Sequence, residues 1–234
     1  EGNHWTRTIP FKVDVVGVIH IMGSALYSRP QAAVRELIQN AHDAIMRRRA
    51  ADLTFVGRID IEQDSQRGEL VFRDDGIGLN QEEAETYLGT LGVGITGLLK
   101  GEHPQSSAPR NSQGLIGQFG IGLFSAFMLA SELEVVSRRA DESCGIRWRA
   151  GAGTDIELSS CETPHIGTSV RLFLKPEYVP FAADVALLEH AIKAYADYLP
   201  IPIYLNQRQP RVNVMHSEWF EPTPDHESLE LELA

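Results

Sequence analysis

Apolar residues recur at helical spacing in the first fifth of the chain and at strand spacing through most of the rest. Two helices are predicted, over residues 13–27 and from about Ser28 to Arg49, with Ser28 as N-cap and Pro30 in the first turn. The second helix carries an apolar stripe and an opposite polar face. The stripe consists of Val34, Leu37, Ile38, Ala41 and Ile45, and the polar face of Glu36, Asn40, Asp43 and Arg47.

Alternation of apolar and polar residues predicts β-strands from residue 58 onwards. Residues 58–62 and 69–73 flank a polar turn that ends in Gly68, which indicates a β-hairpin, and a helix is expected over residues 81–88. Four later segments alternate or carry β-branched and aromatic residues, as antiparallel strands do. They are residues 132–138, 145–150, 155–159 and 167–174.

The remaining predicted elements indicate the fold class. Leu123 to Ala130 reads as an apolar helix, residues 184–198 as an amphipathic helix, and residues 201–205 as a last strand. The order of helices and strands indicates an α+β fold, in which helices cover one face of a mixed or antiparallel sheet.

Composition narrows the partners that the chain can be expected to have. Of its 234 residues 43% are hydrophobic and 23% charged, a globular balance, and the formal net charge is −11. An acidic domain lacks the lysine and arginine excess that neutralises phosphates, so no nucleic-acid partner is expected. Two cysteines are too few for a disulfide framework and suit a reducing compartment, which predicts a cytoplasmic location.

The chain termini and the most apolar stretch predict no targeting or membrane segment. Residues 1–9 lack the basic start and apolar core of a signal peptide, and we interpret them as a tag remnant or an N-terminal extension. The stretch from Gly114 to Ala130 contains Gln118 and four glycines, and is shorter than the about 20 residues that a spanning helix needs. No membrane partner is therefore expected.

Three motifs are candidates for chemistry. Glu36, Asn40 and Asp43 stack on one helix face, Asp74 ends a predicted strand before two glycines, and Gly117, Gly120 and Gly122 precede an apolar helix. Each has a structural alternative on its own: a solvated face, a β-turn, and glycines for close helix packing. Arg47, Arg48 and Arg49 are interpreted as an exposed basic helix end.

In this order the three motifs resemble those of the GHKL ATPase superfamily. Further segments resemble the ninety-kilodalton heat-shock chaperones of the bacterial HtpG type, over about Pro10 to Leu205. These segments are Arg35-Glu36-Leu37-Ile38-Gln39-Asn40-Ala41, Leu88-Gly89-Thr90-Leu91, Ile116-Gly117-Gln118-Phe119-Gly120-Ile121-Gly122 and Gly167-Thr168 with Leu172-Phe173-Leu174-Lys175. The resemblance implies the two-layer Bergerat fold, with a mixed, mostly antiparallel sheet under helices.

The resemblance also implies roles for single residues. Asp74 would accept the adenine amino hydrogen, supported by Thr168 through water, and Gly78 would let the base lie against the backbone. Asn40 would give an oxygen to Mg²⁺ and Glu36 would orient or deprotonate the attacking water, while Arg35 orders the base or the lid. The implied ATP-binding set is Asn40, Asp43, Asp74, Gly78, Leu79, Gly117, Gln118, Phe119, Gly120, Ile121, Gly122 and Thr168, with ATP and Mg²⁺ as ligands.

The same resemblance predicts how the chain is organised and used. Residues 10–210 would form the ATP-binding domain with a lid over about 89–122, and residues 211–234 a linker or the start of a middle domain. The implied function is an ATPase of an HtpG-like chaperone that acts on client proteins and forms a homodimer through regions absent here. A gyrase-like, MutL-like or histidine-kinase relative fits less well.

Two positions depart from the chaperone pattern. Val93 stands where that family usually has a lysine after Leu-Gly-Thr, and Tyr87 stands where it commonly has an asparagine. Both positions lie in or beside the predicted lid and predict altered phosphate contacts. The alternative function that they motivate is a nucleotide-sensing interaction module with little hydrolysis.

Overall fold

A computed structural model gives the fold of the protein. It describes residues 4–10, 30–86, 88, 122–151, 155–197 and 199–213. The predicted first helix at 13–27, almost all of the predicted lid at 89–122 and the tail after residue 213 lie outside the described residues.

The described elements follow the order predicted from the sequence except at the start of the chain, where residues 6–9, interpreted as part of a tag remnant or N-terminal extension, belong to a strand that pairs with residues 156–159. The elements are strand β1 (Thr6–Pro10), helix α1 (Gln31–Ala51), strands β2 (Ile59–Asp64) and β3 (Glu69–Asp74), helix α2 (residues 81–86), a 3-10 helix (Gly122–Met128), strands β4 (Ala130–Arg138), β5 (Gly145–Ala150), β6 (Asp155–Cys161) and β7 (Gly167–Leu174), a 3-10 turn (Pro176–Tyr178), helices α3 (Pro180–Ala183) and α4 (Val185–Ala196), and strand β8 (Ile203–Leu205).

The described strands form one eight-stranded sheet in the order β1-β6-β5-β4-β7-β3-β2-β8. Every neighbouring pair is antiparallel except β2 with β8, which are parallel, with Ile59 opposite Ile203. This confirms the predicted mixed, mostly antiparallel sheet. The parallel pair places β8 beside the first hairpin, because the chain returns to the sheet after helix α4.

Helix α1 covers the part of the sheet formed by β3 and β2 with the predicted apolar stripe. Val34 and Ile45 are fully buried, and Leu37, Ile38 and Ala41 are nearly so. The helix packs on β3 and β2, beside the 3-10 helix and α4. It begins at Gln31, with Pro30 rather than Ser28 next to its first turn, and Pro30 gives no side-chain cap. The apolar stripe faces the sheet, and Glu36, Asn40 and Asp43 lie outside it.

The two faces of the sheet differ in polarity. The face under the helices buries alternate residues of each strand, such as Leu70 and Phe72 in β3 and Trp148 in β5. The opposite face carries ion pairs, including Arg171 Nη1 with Glu69 Oε2 at 2.8 Å. One apolar and one charged face confirm the two-layer arrangement. No helix of the described ranges is long and apolar enough to cross a membrane.

The predicted apolar helix from Leu123 to Ala130 is wrong in type and length. The segment is a 3-10 helix that ends at Met128, and Ala130 already pairs with Leu174 in the sheet. The amide of Leu129 donates to the carbonyl of Ala126 at 3.0 Å, an i to i−3 hydrogen bond. Because Ala130 pairs in the sheet, the helix cannot extend to the predicted end at residue 130.

Candidate functional site

Three neighbouring strands bring polar side chains into one row on the buried face of the sheet. Asp74 of β3 is directly opposite Thr168 of β7, and Thr168 is directly opposite Ser137 of β4. The other inward-facing positions of these three strands carry apolar residues. Directly paired side chains on one face have Cβ atoms about 4.5–5.5 Å apart, so the three groups form one polar cluster.

The Asp74 carboxylate is held by the loop that follows it. It is 6% exposed, and its Oδ1 accepts the amide hydrogen of Gly76 at 2.9 Å. The backbone carbonyl of Asp74 accepts a hydrogen bond from His165 Nε2 at 2.8 Å, which fixes the proton of that ring on Nε2. A side chain at Gly167, where φ is +115°, would collide with the same carbonyl. The end of β3 is thus held in place by the hydrogen bond from His165 and by the close approach of Gly167.

Burial changes the acidity of Asp74. Desolvation raises its pKa from 3.8 to about 7, partly opposed by the backbone amides of Gly76 and Thr168, which favour the charged form. Asp75 raises the pKa further and Arg47 lowers it. A buried carboxylate whose oxygens can accept further hydrogen bonds is suited to bind a ligand that brings its own hydrogen-bond donor.

We expect the stability of the ligand-free protein to fall with rising pH because of Asp74. Its pKa in the folded state, about 7, exceeds the ordinary value of 3.8. The folded protein therefore holds a proton that the unfolded chain releases, and stability is lost as pH rises through this window. Between about pH 5 and pH 8 the loss should be about 3 kcal/mol, measured as the free energy of unfolding in urea.

The control for this prediction is Asp74→Asn, which keeps the shape of the side chain without an ionisable group. The difference between the two unfolding curves isolates Asp74 from the other titrating groups. Parallel curves for the two proteins over the whole pH range would show that the Asp74 carboxyl does not hold its proton near neutrality.

Gly78 and Leu79 line the next stretch of the same site. Gly78 has φ +70°, and a Cβ there would collide with the backbone carbonyl of Arg138. Only glycine therefore lets the loop lie this close to the end of β4. The amide of Leu79 donates to Ser137 Oγ at 2.9 Å, which ties the loop to the polar row.

The polar face of α1 carries the second group of predicted residues. Glu36 and Asn40 are partly buried, while Asp43 accepts hydrogen bonds from Gln39 Nε2 at 2.8 Å and contacts His42 Nδ1 at 3.0 Å. Arg35 Nη2 donates to Glu36 Oε1 at 2.7 Å, and its Nε donates to the same oxygen at 3.2 Å. Arg35 and Glu36 thus form an ion pair at the start of the polar face.

Backbone contacts join α1 to the Asp74 loop. The amide of Ile77 donates to the carbonyl of Ala44 at 3.1 Å, and Arg48 Nη1 donates to the carbonyl of Asp75 at 2.6 Å. Arg47 lies within electrostatic reach of both Asp43 and Asp74. The helix face and the strand end are therefore parts of one site.

The predicted exposed basic end of α1 is wrong. Arg47, Arg48 and Arg49 are all partly buried, and desolvation lowers the pKa of Arg47. Arg48 stacks on Phe55, 4.0 Å from the ring centroid, and Arg49 donates to backbone carbonyls of the next loop and of Pro200. The loop after the helix folds back over these side chains, which the sequence pattern of the helix alone does not reveal.

The glycine-rich motif falls mostly outside the described residues. These positions are Gly117, Gln118, Phe119, Gly120 and Ile121. Gly122, the last of the predicted set, is the first residue of the 3-10 helix. That helix packs beside α1.

Ser137 and Arg47 were missed as site residues by sequence reasoning. A signal for Ser137 exists: in β4 it follows Leu133 and Val135 at alternate, inward positions, so a polar residue interrupts an apolar series. Arg47 offers no comparable signal, because a basic residue near a helix end is ordinarily exposed. Its buried Nε has no hydrogen-bond partner in the described part of the chain.

Comparison with known protein families gives a match over more than half of the chain. The family of histidine kinase-, DNA gyrase B- and HSP90-like ATPases matches residues 27–166, a range that includes the helix face, Asp74 and Ser137. The chain belongs to this ATPase family. Membership implies ATP binding and agrees with the α+β sheet and its helical cover.

Curated relatives within the family are chaperones by name. The chain is similar to chaperone protein HtpG of Wolinella succinogenes, 35% identical over 85% of this chain and 33% of that protein. It is also similar to chaperone protein HtpG of Mycobacterium ulcerans, 34% identical over 98% of this chain and 37% of that protein. A third relative is the mitochondrial heat shock protein 75 kDa of Bos taurus, 32% identical over 89% and 30%. The chain spans about a third of these relatives, and it is similar to their ATPase domain.

Proposed function

We propose that this domain binds and hydrolyses Mg-ATP and that it drives the conformational cycle of an HtpG-like chaperone. The observation that carries the proposal is the junction of a buried acceptor, Asp74, with the polar face of α1. The backbone bond between Ile77 and Ala44 fixes that junction. One end of the site suits a purine amino group and the other a metal-bound phosphate chain.

The base end of the nucleotide is assigned to the polar row and the loop after β3. Asp74 would accept from the adenine amino group, with Thr168 beside it. Gly78 lacks a side chain where the ring would approach the backbone, and Leu79 is half-buried next to it. Because Asp74 is buried, a ligand that offers its carboxylate no hydrogen-bond donor binds with a less favourable free energy. This gives the base end its selectivity.

The phosphate end is assigned to α1, and its donor set fits magnesium. Asn40 offers a neutral amide oxygen that forms no side-chain hydrogen bond with the other residues described. No cluster of three His, Cys, Asp or Glu side chains able to hold a metal occurs in the described ranges. Mg²⁺ commonly takes one or two protein oxygens together with phosphates and water, so a single ligand from the protein suffices. When bound, the ion would neutralise phosphate charge.

Glu36 lies one helical turn before Asn40 on the same face and is assigned as the base that orients or deprotonates water. Arg35, paired to it, would hold the carboxylate in place before the nucleotide arrives. Asp43, one turn after Asn40, would complete the polar wall beside the nucleotide. The backbone N–H groups of residues 118–122 would bind the γ-phosphate, and residues about 89–122 would form a lid.

The chaperone part of the proposal rests on the relatives named above. In it, residues 10–210, together with the start of strand β1 from Thr6, form the ATP-binding domain, and residues 211–234 lead to a middle domain. The full-length protein would act on client proteins as a homodimer in the cytoplasm. The described cysteines, Cys144 and Cys161, are both free thiols, in keeping with a reducing compartment.

A second candidate function is nucleotide sensing with little hydrolysis. The observation that favours it is in the sequence, where Val93 and Tyr87 depart from the chaperone pattern in or beside the predicted lid. Turnover by the full-length protein separates the two functions, as set out for Glu36 in the Discussion.

Calorimetry of nucleotide binding tests the site directly. We expect ATP to bind about tenfold more tightly with Mg²⁺ than with EDTA, and Asn40→Ala to remove most of this gain. Adenosine, which has no phosphate, should bind the wild type and Asn40→Ala with about equal affinity.

Met46→Ala is the matched control, since Met46 is an exposed residue of the same helix to which no role in the site is assigned. It should keep the magnesium dependence of the wild type. A wild-type protein that binds no adenine nucleotide overturns the proposed function. Retention of the full magnesium effect in Asn40→Ala overturns only the assignment of the metal ligand.

A further inference from the structure

Ser137 is a buried hydroxyl that the proposed mechanism leaves without a role. It is 1% exposed and lies at the end of the inward series of β4. Its Oγ contacts three groups: the amide nitrogen of Leu79 at 2.9 Å, the carbonyl oxygen of Gly167 at 3.1 Å and Thr168 Oγ1 at 2.9 Å. All three partners belong to the wall of the proposed base site.

The number of available hydrogens determines which group donates in each of these three hydrogen bonds. A carbonyl only accepts, so the single Ser137 hydroxyl hydrogen is donated to Gly167. An amide N–H only donates, so one lone pair of Ser137 Oγ accepts from Leu79. The remaining lone pair then accepts from the Thr168 hydroxyl. This is the only arrangement in which all three contacts are hydrogen bonds.

These hydrogen-bond directions determine the orientation of the Thr168 hydroxyl. Its one hydroxyl hydrogen is directed at Ser137, so Thr168 Oγ1 presents lone pairs alone to any other partner. Asp74, opposite Thr168 in the sheet, also presents only acceptors when it is ionised. A water between the two would donate both of its hydrogens to them and turn its own lone pairs toward the ligand. Directly or through water, this wall of the site accepts hydrogen bonds.

We infer that Ser137 is a positioning residue that makes the base site selective for 6-aminopurines over 6-oxopurines. It acts through Thr168, whose hydroxyl it prevents from donating into the site. A 6-amino group can donate hydrogen bonds to the acceptors of this wall. A 6-oxo group is itself an acceptor, so no hydrogen lies between it and the wall. The inference rests on the proposed binding of adenine nucleotides and names what determines the choice of base.

The test compares ADP with inosine diphosphate, which carries an oxo group in place of the 6-amino group. Affinities are measured by calorimetry at about pH 8, where Asp74 is ionised. In Ser137→Ala the Thr168 hydroxyl is free to rotate and donate to an oxo group. We expect ADP to bind about fivefold more weakly and the preference for ADP over inosine diphosphate to fall about tenfold.

Ser137→Thr is the matched control, because it keeps a hydroxyl at the same position. Its preference should stay within about twofold of the wild type. Ser137→Cys, a near-isostere with a weak donor, should lose the preference as Ser137→Ala does. If Ser137→Ala is too unstable to purify, the cysteine variant carries the test.

A double variant separates positioning from mere packing. In a Thr168→Val background Ser137→Ala should leave the ratio of the two affinities unchanged, because the hydroxyl it controls is gone. An unchanged ratio in both Ser137→Ala and Ser137→Cys, with ADP still bound, overturns the inference and leaves the proposed function standing. Failure of the wild type to bind ADP instead removes the proposed function itself.

Discussion

Replacing Glu36 by Gln should reduce single-turnover ATP hydrolysis by the full-length protein about 100-fold or more. The amide keeps the size of the side chain and can still orient a water molecule, but it cannot accept a proton. Affinity for ATP should change by about twofold or less, because Glu36 is assigned to the water and not to the nucleotide. Rapid quench with radiolabelled ATP measures hydrolysis, and calorimetry measures affinity.

Glu189→Gln is the matched control for Glu36→Gln. Glu189 is also helical and ion-paired, with Lys193 at 2.9 Å, but it lies on α4. Hydrolysis in this control should match the wild type. Normal hydrolysis in Glu36→Gln would remove Glu36 from the role of base, and a wild type no faster than Glu36→Gln would establish nucleotide sensing as the function.

The sequence was sufficient to predict most of the described elements and the two polar faces from which the proposed site is built. Alternation in β3 places Leu70, Phe72 and Asp74 on one face, so a carboxylate at the buried end of that series was recognisable without a structure. Spacing along α1 likewise placed Glu36 and Asn40 on one side of the helix. Periodicity reports these faces reliably because it depends only on local geometry.

Pairing between distant strands could not be predicted in the same way. Ser137 joins Thr168 and Asp74 only because β7 lies between β3 and β4, an order that alternation within each strand does not determine. The burial of Arg48 has a similar cause, since Phe55 and the carbonyl of Asp75 reach it from a loop and a strand end. Contacts of this kind depend on tertiary packing, which overrides local propensity.

The Asp74 loop links the two ends of the site mechanically. Its residues bond to α1 through Ala44 and Arg48, and the Asp75 carboxylate accepts the amide hydrogen of Arg58 at 2.8 Å. Bulk at Gly76 is excluded by the backbone and side chain of Ala44. A base seated against this loop therefore lies in a fixed position relative to Glu36 and Asn40, which favours productive orientation of the phosphates.

Asp74→Asn is expected to weaken the binding of ADP, ATP and adenosine alike, by about 100-fold. The substitution exchanges an acceptor for an amide that can turn its own N–H groups toward the adenine amino group. Because the position is 6% exposed, water cannot enter freely to relieve the two facing donors. Loss of adenosine binding distinguishes this effect from that of Asn40→Ala, which acts at the phosphates.

Asp75→Asn is the matched control, since it removes one negative charge from the adjacent residue. The Asp75 side chain accepts from the backbone amide of Arg58, a bond that an asparagine oxygen can keep. Its affinity for adenosine should stay within about threefold of the wild type, whereas Asp74→Asn should approach the detection limit of calorimetry. Equal losses in the two variants would mean that charge near the loop, and not the acceptor at Asp74, selects the base. Since Asp74→Asn removes no buried apolar contact, an unfolding midpoint at about pH 7 no lower than that of the wild type would locate the loss in binding rather than in folding.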